Sequence, residues 1–284
     1  MKKIIIAIFL TILVAVPVAL YVAANYFFKK QLEYAAAELG VADRVSWSKS
    51  GINIFGRSGY ITDVRLGDIT AERITFSRYS YKRTLTIQLD NLTVPVTPAL
   101  GRLYDPAYMM GYTALHMQST INCVLTGSTL DVASDNTNIV EIGKSSFALS
   151  FSDISSDRII PALTSIVKQD KPLSTMTARL DNSADVVARA VNVLAMVTNS
   201  DYDHAKARLL DAISRYSAES PDASKQNLLQ LHRLISNPSA VVIQLAEPLQ
   251  PKELLTKSFG MNDIGAWRTT GQELLMLPIL INAY

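Results

Sequence analysis

Three histidines are the side chains of this sequence best suited to acid–base or metal chemistry. His116, His204 and His232 lie far apart in unrelated sequence contexts. His204 follows Asp201 and Asp203, a cluster that could hold a metal ion but is more typical of residues that cap a helix start. The histidines therefore predict neither a metal centre nor a catalytic centre.

Cys123 is the single cysteine, within the apolar run Ile121-Asn-Cys-Val-Leu125. One cysteine can form neither an intramolecular disulfide nor a thiolate metal site. An apolar strand-like setting is typical of a small core residue and not of a reactive thiol. We therefore expect Cys123 to be buried.

The sequence contains no motif that marks a known enzyme class. It has no nucleophile elbow, phosphate-binding loop, dinucleotide fingerprint, zinc-protease helix or calcium loop. Gly51, Gly56 and Gly59 are spaced as turn glycines and no predicted helix follows them, so they predict no phosphate cradle. Carboxylate pairs such as Asp63 with Asp68 are expected in any chain with 25 acidic residues. The sequence predicts a non-enzymatic protein without a cofactor.

Apolar residues at alternating strand positions are the pattern that suggests a binding function. A sheet face of this kind could hold acyl chains if the protein's own side chains did not fill it. The candidate lining residues are Ile74, Phe76, Leu85, Ile87, Leu89, Phe147, Leu149 and Phe151. The alternative is that the helical half of the chain covers this face and makes an ordinary core.

Period-two patterning predicts the strands that must position these residues. The predicted strands of the first half are 45–48, 52–55, 60–66, 71–81, 84–90, 119–125, 129–133, 139–142 and 146–151. Within 71–81 the apolar residues change phase after Phe76, which predicts a bulge or a shift of register. One apolar and one polar face predict an antiparallel sheet packed on one side.

The second half of the chain has helical patterning. Predicted helices are 31–39 (ended by Gly40), 158–168, 183–197, 202–216, 221–235 and a short one from Pro251, with strands at 174–181, 240–246 and 277–283. The predicted fold class is α+β: an N-terminal transmembrane helix, then a curved antiparallel sheet with a helical block packed on one face or end.

Residues Ile4 to Phe28 contain no charged residue or histidine. At about 1.5 Å per residue such a helix could cross a hydrocarbon core of about 30 Å. Aromatic residues and Lys29-Lys30 at its end are typical of a membrane interface. A cleaved signal peptide ending at Val22-Ala-Ala24 is the alternative, and the length of the apolar run favours an uncleaved anchor. Lys2-Lys3 on a short tail favours a cytoplasmic amino terminus, with the body in the periplasm or outside.

The formal net charge of +2 arises around this segment. Without Lys2, Lys3, Lys29 and Lys30, 23 basic residues face 25 acidic ones, which gives the body a charge of about −2. Proteins that bind nucleic acids normally carry a basic excess on the folded domain. The composition therefore argues against a nucleic-acid partner.

Several stretches resemble the opening repeats of AsmA-like envelope proteins of Gram-negative bacteria. They are Val45-Ser-Trp-Ser48, Gly56 through Gly67, Ile69 through Phe76 and Leu89-Asp-Asn-Leu-Thr-Val94. Leu231 through Pro238 and Val241-Val-Ile-Gln-Leu245 resemble uncharacterised anchored periplasmic proteins. The resemblance implies a curved sheet with an apolar groove, associated with phospholipid movement or outer-membrane homeostasis, and no catalytic residues. This chain is short for the group and has a helical block where longer members continue their strands.

We therefore predict an anchor at residues 1–30, a β-rich region at 31–157 and a helical block with returning strands at 158–284, the last two forming one globular domain. The expected protein is a single-pass inner-membrane protein with its main domain in the periplasm, binding membrane lipid or another apolar envelope component. The alternative is a structural or assembly component of an envelope protein complex that docks through helices 183–235. An enzyme with an unrecognised site is a third interpretation, which convergent polar groups in a pocket would favour.

Overall fold

The structure is a computed structural model and describes residues 21–37, 40–53, 57–80, 83–96, 106–169, 171–220, 222–250 and 279–284. Its strands are β1 (Val45–Ser46), β2 (Lys49–Asn53), β3 (Ser58–Leu66), β4 (Ile69–Ser80), β5 (Thr84–Pro95), β6 (Ala114–Thr126), β7 (Thr129–Ile139), β8 (Gly143–Phe151), β9 (Leu173–Leu180), β10 (Val241–Leu245) and β11 (Ile279–Ala283). Together they form one 11-stranded sheet.

The sheet is antiparallel throughout the described pairs and follows the chain almost in order. Strands β3 to β11 lie side by side in sequence order, while β1 and β2 both pair with the outer edge of β3. Two-residue turns join β3 to β4 and β6 to β7, where Gly67 and Gly127 each have a φ of +60°. Glycine adopts that left-handed conformation without strain, which suits tight hairpins.

The helices are α1 (residues 21–37), α2 (Pro106–Met109), α3 (Ile159–Gln169), α4 (Ala184–Val197), α5 (Tyr202–Glu219) and α6 (Asp222–Ser236). Helix α1 precedes the sheet and ends before Gly40, whose φ of +69° is typical of the residue after a helix. Helix α3 connects β8 to β9, and α4 to α6 form an insertion between β9 and β10.

Three separate hydrophobic cores hold these elements together. The α3 core contains Leu85, Cys123, Leu125, Leu130, Phe151, Ile154, Ile159, Ala162 and Leu173. The α1 core contains Ile61, Val64 and Ala71, with Phe28 and Leu32 of α1 packed against them. The bundle core contains Val187, Val191, Ala195, Ala205, Ile213, Leu228 and Ile235, all from α4 to α6. Because the buried residues of the bundle core come only from helices, α4 to α6 form a small three-helix bundle beside the sheet.

The predicted α+β class with a large antiparallel sheet is confirmed. The predicted phase change in β4 is also confirmed, since its register with β5 shifts between Ser77 and Ser80. The strand predicted at 139–142 is wrong. β7 ends at Ile139, which pairs with Gly143, and the three residues between them form the turn into β8.

None of the helices in the described ranges combines the length and the apolar character needed to cross a membrane. Residues 1–20 of the predicted anchor lie outside those ranges, as does the helix predicted from Pro251.

Candidate functional site

The strand register places the eight candidate lining residues on one face of the sheet. Ile74 pairs with Leu89 and Phe76 with Ile87 across β4 and β5. Leu85 connects through Cys123 and Val132 to Leu149 on β8. Directly paired residues point to the same side, and alternate residues of one strand share that side. We call this side the apolar face.

Helix α3 covers one end of the apolar face. Leu85 and Phe151 are buried in the α3 core, where Ile159 and Ala162 of the helix are fully buried. Three further candidate residues, Phe76, Ile87 and Leu149, are partly buried against this core. These five residues therefore have protein partners of their own, and the element that covers them, α3, belongs to the helical half of the chain, as the filled-core alternative requires.

Helix α1 covers the apolar face at β3 and β4. Its Phe28 ring meets the ring of Phe76 edge-on, with 6.3 Å between the centroids. The same ring lies over Gly59, where a Cβ atom would come within 2.4 Å of Phe28 Cζ. Ile74 packs against this α1 core as well. Glycine at position 59 is therefore what allows the helix to approach the strand so closely.

Beside these two covered regions the apolar face continues as a strip of half-buried residues. Leu89 and Phe147 belong to none of the three cores. The register continues from them to Ala178, Leu180 and Ile243 on β9 and β10, which are also half-buried and outside the cores. We call these five residues the central strip. It crosses six strands, β5 to β10, and at about 4.8 Å per strand it extends roughly 24 Å.

Three buried hydroxyl groups lie in the middle of the central strip. Ser119 pairs with Leu89, and Ser134 pairs with Phe147. The Oγ of Ser119 lies 3.1 Å from that of Ser134 and 2.7 Å from Oγ1 of Thr137, which is 2.9 Å from Ser134 Oγ. Three contacts among three hydroxyls let each donate once and accept once, so their burial is compensated.

This hydroxyl cluster was not predicted from the sequence. Its signal is the presence of Ser119 and Ser134 at positions that continue the apolar phase of β6 and β7. The register between these strands shifts at the same place, from Ser119 to Asn122. Because an extra residue at a bulge leaves backbone groups irregularly placed, short hydroxyl side chains suit this point of the sheet.

Asparagine and glutamine side chains of two helices, α1 and α6, accept hydrogen bonds from the backbone of the edge strands β2 and β11. At β2 the backbone N–H of Ile52 donates to Asn25 Oδ1 of α1 over 2.9 Å. At β11 the N–H of Ile281 donates to Asn227 Oδ1 over 3.0 Å, and that of Ala283 donates to Gln230 Oε1 over 3.2 Å. These bonds satisfy donors that an edge strand otherwise presents to other chains.

The histidine and carboxylate pairs of the structure have structural roles. The backbone N–H of His204 donates to Asp201 Oδ1 over 2.9 Å at the start of α5, which confirms the capping interpretation. This backbone bond, followed by the bond to the His204 ring, lowers the pKa of Asp201. Burial acts to raise the pKa of Glu141, but hydrogen bonds from the ring and backbone of His116 outweigh it and lower that pKa. Among the described residues, no group of three potential metal ligands is found.

Tyr112 and Arg189 join the bundle to the loop before β6. The guanidinium of Arg189 lies over the Tyr112 ring at 4.7 Å from its centroid and donates to the backbone oxygen of Met110 over 3.0 Å. Burial, followed by the charge of Asp185, raises the pKa of the Tyr112 hydroxyl. Through these contacts Arg189 packs helix α4 against the loop that precedes β6.

Comparisons with known proteins returned no match to a family model, to a curated protein or to a solved structure. The resemblance to AsmA-like proteins therefore stays a prediction from the sequence.

Proposed function

We propose that this chain is a non-enzymatic, membrane-anchored envelope protein whose sheet binds a lipid acyl chain or another apolar envelope component in the periplasm. The observation that carries this proposal is the central strip, an apolar part of the sheet that belongs to none of the three cores. Its roughly 24 Å exceeds the ~15 Å that one acyl chain spans in half of a bilayer core, so the strip is long enough for an extended chain.

The chemistry of the strip supports an apolar ligand. Leu89, Phe147, Leu180 and Ile243 carry no polar side-chain atom, and the buried hydroxyls between them bond to one another. A ligand that needed charged or hydrogen-bonding partners would find few of them in the strip. Acyl chains need only removal of apolar surface from water, worth about 25 cal/mol for each Å².

The test is photocrosslinking with the full-length chain in cells. We would place p-benzoylphenylalanine at position 147, in the strip, and at position 148 as the matched control. Ala148 is the next residue of β8, is exposed and points to the polar face. We expect lipid adducts at position 147 and none at position 148, as read by mass spectrometry of the purified protein. Equal lipid labelling at both positions, or none at either, contradicts lipid binding by the strip.

A second candidate function is assembly with an envelope protein through the bundle, and one observation favours it. Met196 and Val197, at the end of α4, are 68% and 59% exposed. Adjacent large apolar side chains on a surface are typical of protein contacts. The same photoreactive residue at position 196 tests this, since a protein adduct there, together with no lipid adduct at position 147, would favour assembly.

A further inference from the structure

We infer that α1 is an interfacial helix, whose outer face lies in the headgroup layer of an anionic bilayer and holds the β2–β3 edge of the sheet against the membrane. This inference rests on the membrane anchorage in the proposed function and adds the surface and orientation by which the domain meets the lipid.

The inner face of α1 is fixed to the sheet. Asn25, Phe28, Leu32 and Ala36 recur at intervals of three, four and four residues and so form one stripe of the helix. Asn25 accepts the hydrogen bond of the β2 edge, Phe28 and Leu32 pack into the α1 core, and Ala36 is buried. The contacts run over about 16 Å of helix at 1.5 Å per residue. The helix and the sheet edge therefore move as one body.

The outer face of α1 carries aromatic and basic residues. At 100° per residue, Tyr26, Phe27, Lys30 and Tyr34 centre on the side opposite the inner stripe. Tyr26, Phe27 and Tyr34 are all exposed, Phe27 to 66%. This one helix holds five of the fifteen exposed large hydrophobic residues of the described chain. Such a concentration differs from the scattered apolar residues of an ordinary surface.

A bilayer surface is the partner that fits this face. Tyrosine and phenylalanine beside lysine are the residues of interfacial belts, where one end of the side chain is apolar and the other is hydrated. Lys29 adds positive charge that anionic headgroups attract, while Lys30 is paired with Glu33 of the same helix over 2.9 Å. The chain on the amino-terminal side of α1, from Ile4 to Leu20, is uncharged and apolar, so the same membrane is the nearest surface in the proposed topology.

The position of Asn25 places the sheet close to the lipid. Its hydrogen bond to the Ile52 backbone excludes residue 25 from the hydrocarbon, although the uncharged run reaches Phe28. The uncharged run left for the predicted span is then Ile4 to Ala24, whose 21 residues are enough to cross a hydrocarbon core of about 30 Å. Tyr34 lies eight residues beyond Tyr26 on the same side, so a helix parallel to the membrane brings both rings to the headgroups. An upright helix would leave Tyr34 in water.

The experiment uses the full-length chain in nanodiscs of phosphatidylcholine with phosphatidylglycerol. Single cysteines, from Phe27→Cys, Tyr34→Cys and Val140→Cys, would carry an environment-sensitive fluorophore. Val140 is the matched control because it is 69% exposed and lies in the β7–β8 turn, away from α1. The native Cys123 is buried and stays unlabelled. All three labelled positions are exposed, so folding is not at risk.

We expect blue-shifted emission from the fluorophore at positions 27 and 34. Aqueous iodide should quench the emission there several-fold less than at position 140, and nitroxide-headgroup lipid should quench it only at positions 27 and 34. Discs of phosphatidylcholine alone should weaken this protection. Protection at 27 without protection at 34 would show an upright helix and overturn the inference. If iodide reached both positions, the inference would be overturned. If the same protein still resisted carbonate extraction, the membrane anchor would nevertheless be intact. Failure to enter the discs would overturn the anchor itself.

Discussion

At the scale of single residues, burial determines the chemistry of Cys123. Its side chain is 2% exposed within the α3 core, between Leu85 and Val132 of the neighbouring strands. Burial raises the pKa of the thiol from 9.0 to about 11, because the charged thiolate loses its hydration. The reactive thiolate is therefore scarce at neutral pH, as expected from the apolar run in which this cysteine lies.

We predict that Cys123 makes stability depend on pH in the alkaline range. Below pH 9 the thiol is protonated in both states and has no effect. Between about pH 9 and 11 it ionises only in the unfolded chain, so the free energy of unfolding falls as pH rises, and above pH 11 the effect is complete. Urea titrations of wild type and Cys123→Ala across this range measure it. The variant should lose less stability than wild type, and equal losses would contradict the raised pKa.

The hydroxyl cluster of Ser119, Ser134 and Thr137 shows which residue contacts could not be predicted from the sequence. The burial of Cys123 was predictable from its apolar neighbours, and so was the cap at Asp201 from its position before a helix. The contact between Ser119 and Thr137 depends on the register of β6 with β7, which a bulge shifts. Polarity patterns along one strand carry no information on the partner residue across the ladder. Residue contacts at irregular positions therefore required the structure.

At the scale of elements, the close approach of α1 to β3 depends on the pair Phe28 and Gly59. A Cβ at position 59 would clash with the Phe28 ring. We predict that Gly59→Ala lowers the free energy of unfolding by about 1–3 kcal/mol, the usual cost of overpacking. Phe28→Ala alone should cost about 2–4 kcal/mol by opening a cavity, less than a fully buried phenylalanine.

The double variant is the control for this contact. Once Phe28 is truncated, the alanine at position 59 has room, so its added cost should nearly vanish and the two effects should not be additive. Urea unfolding of the full-length chain in detergent measures all four free energies. Additive costs would show that the clash is relieved elsewhere and would contradict the tight docking of α1 on β3.

Most elements were predictable because each is long and strongly patterned. Helix α4 was predicted at 183–197 and spans Ala184–Val197, and β9 was predicted at 174–181 and spans Leu173–Leu180. Strand β7 was predicted to end at Ala133 but continues to Ile139. The continuation was missed because the buried positions 134 and 137 hold polar side chains, Ser134 and Thr137. What covers the apolar face was also not predictable. Sequence patterns show which side of an element is apolar, while the partner of that side depends on long-range packing.

At the scale of the whole molecule, the sheet and the bundle have separate cores and are joined at β11 and, through Arg189, at the loop before β6. The bundle core draws its buried residues from α4 to α6, and the α3 core draws its own from strands, α3 and the connection before it. Helix α6 contacts the sheet through β11, using Asn227 and Gln230. At the other edge α1 has the same role at β2 through Asn25. Helical covers at both edges argue against growth of the sheet by strand addition.

The contact between α6 and β11 gives a prediction about which part of the molecule unfolds locally. Asn227→Leu keeps a side chain of similar size but removes the acceptor for the partly buried Ile281 N–H, and we expect this to cost about 1 kcal/mol, the lower end of the range for a donor left without a partner. Because the two cores are separate, we expect the loss to appear as local opening. Hydrogen exchange should accelerate in α6, β10 and β11 and stay unchanged in β4 to β7.

Gln226→Leu is the matched control, since Gln226 is exposed on the same helix and its substitution should leave exchange unaltered. Faster exchange throughout the sheet in Asn227→Leu would instead show that sheet and bundle unfold as one cooperative unit.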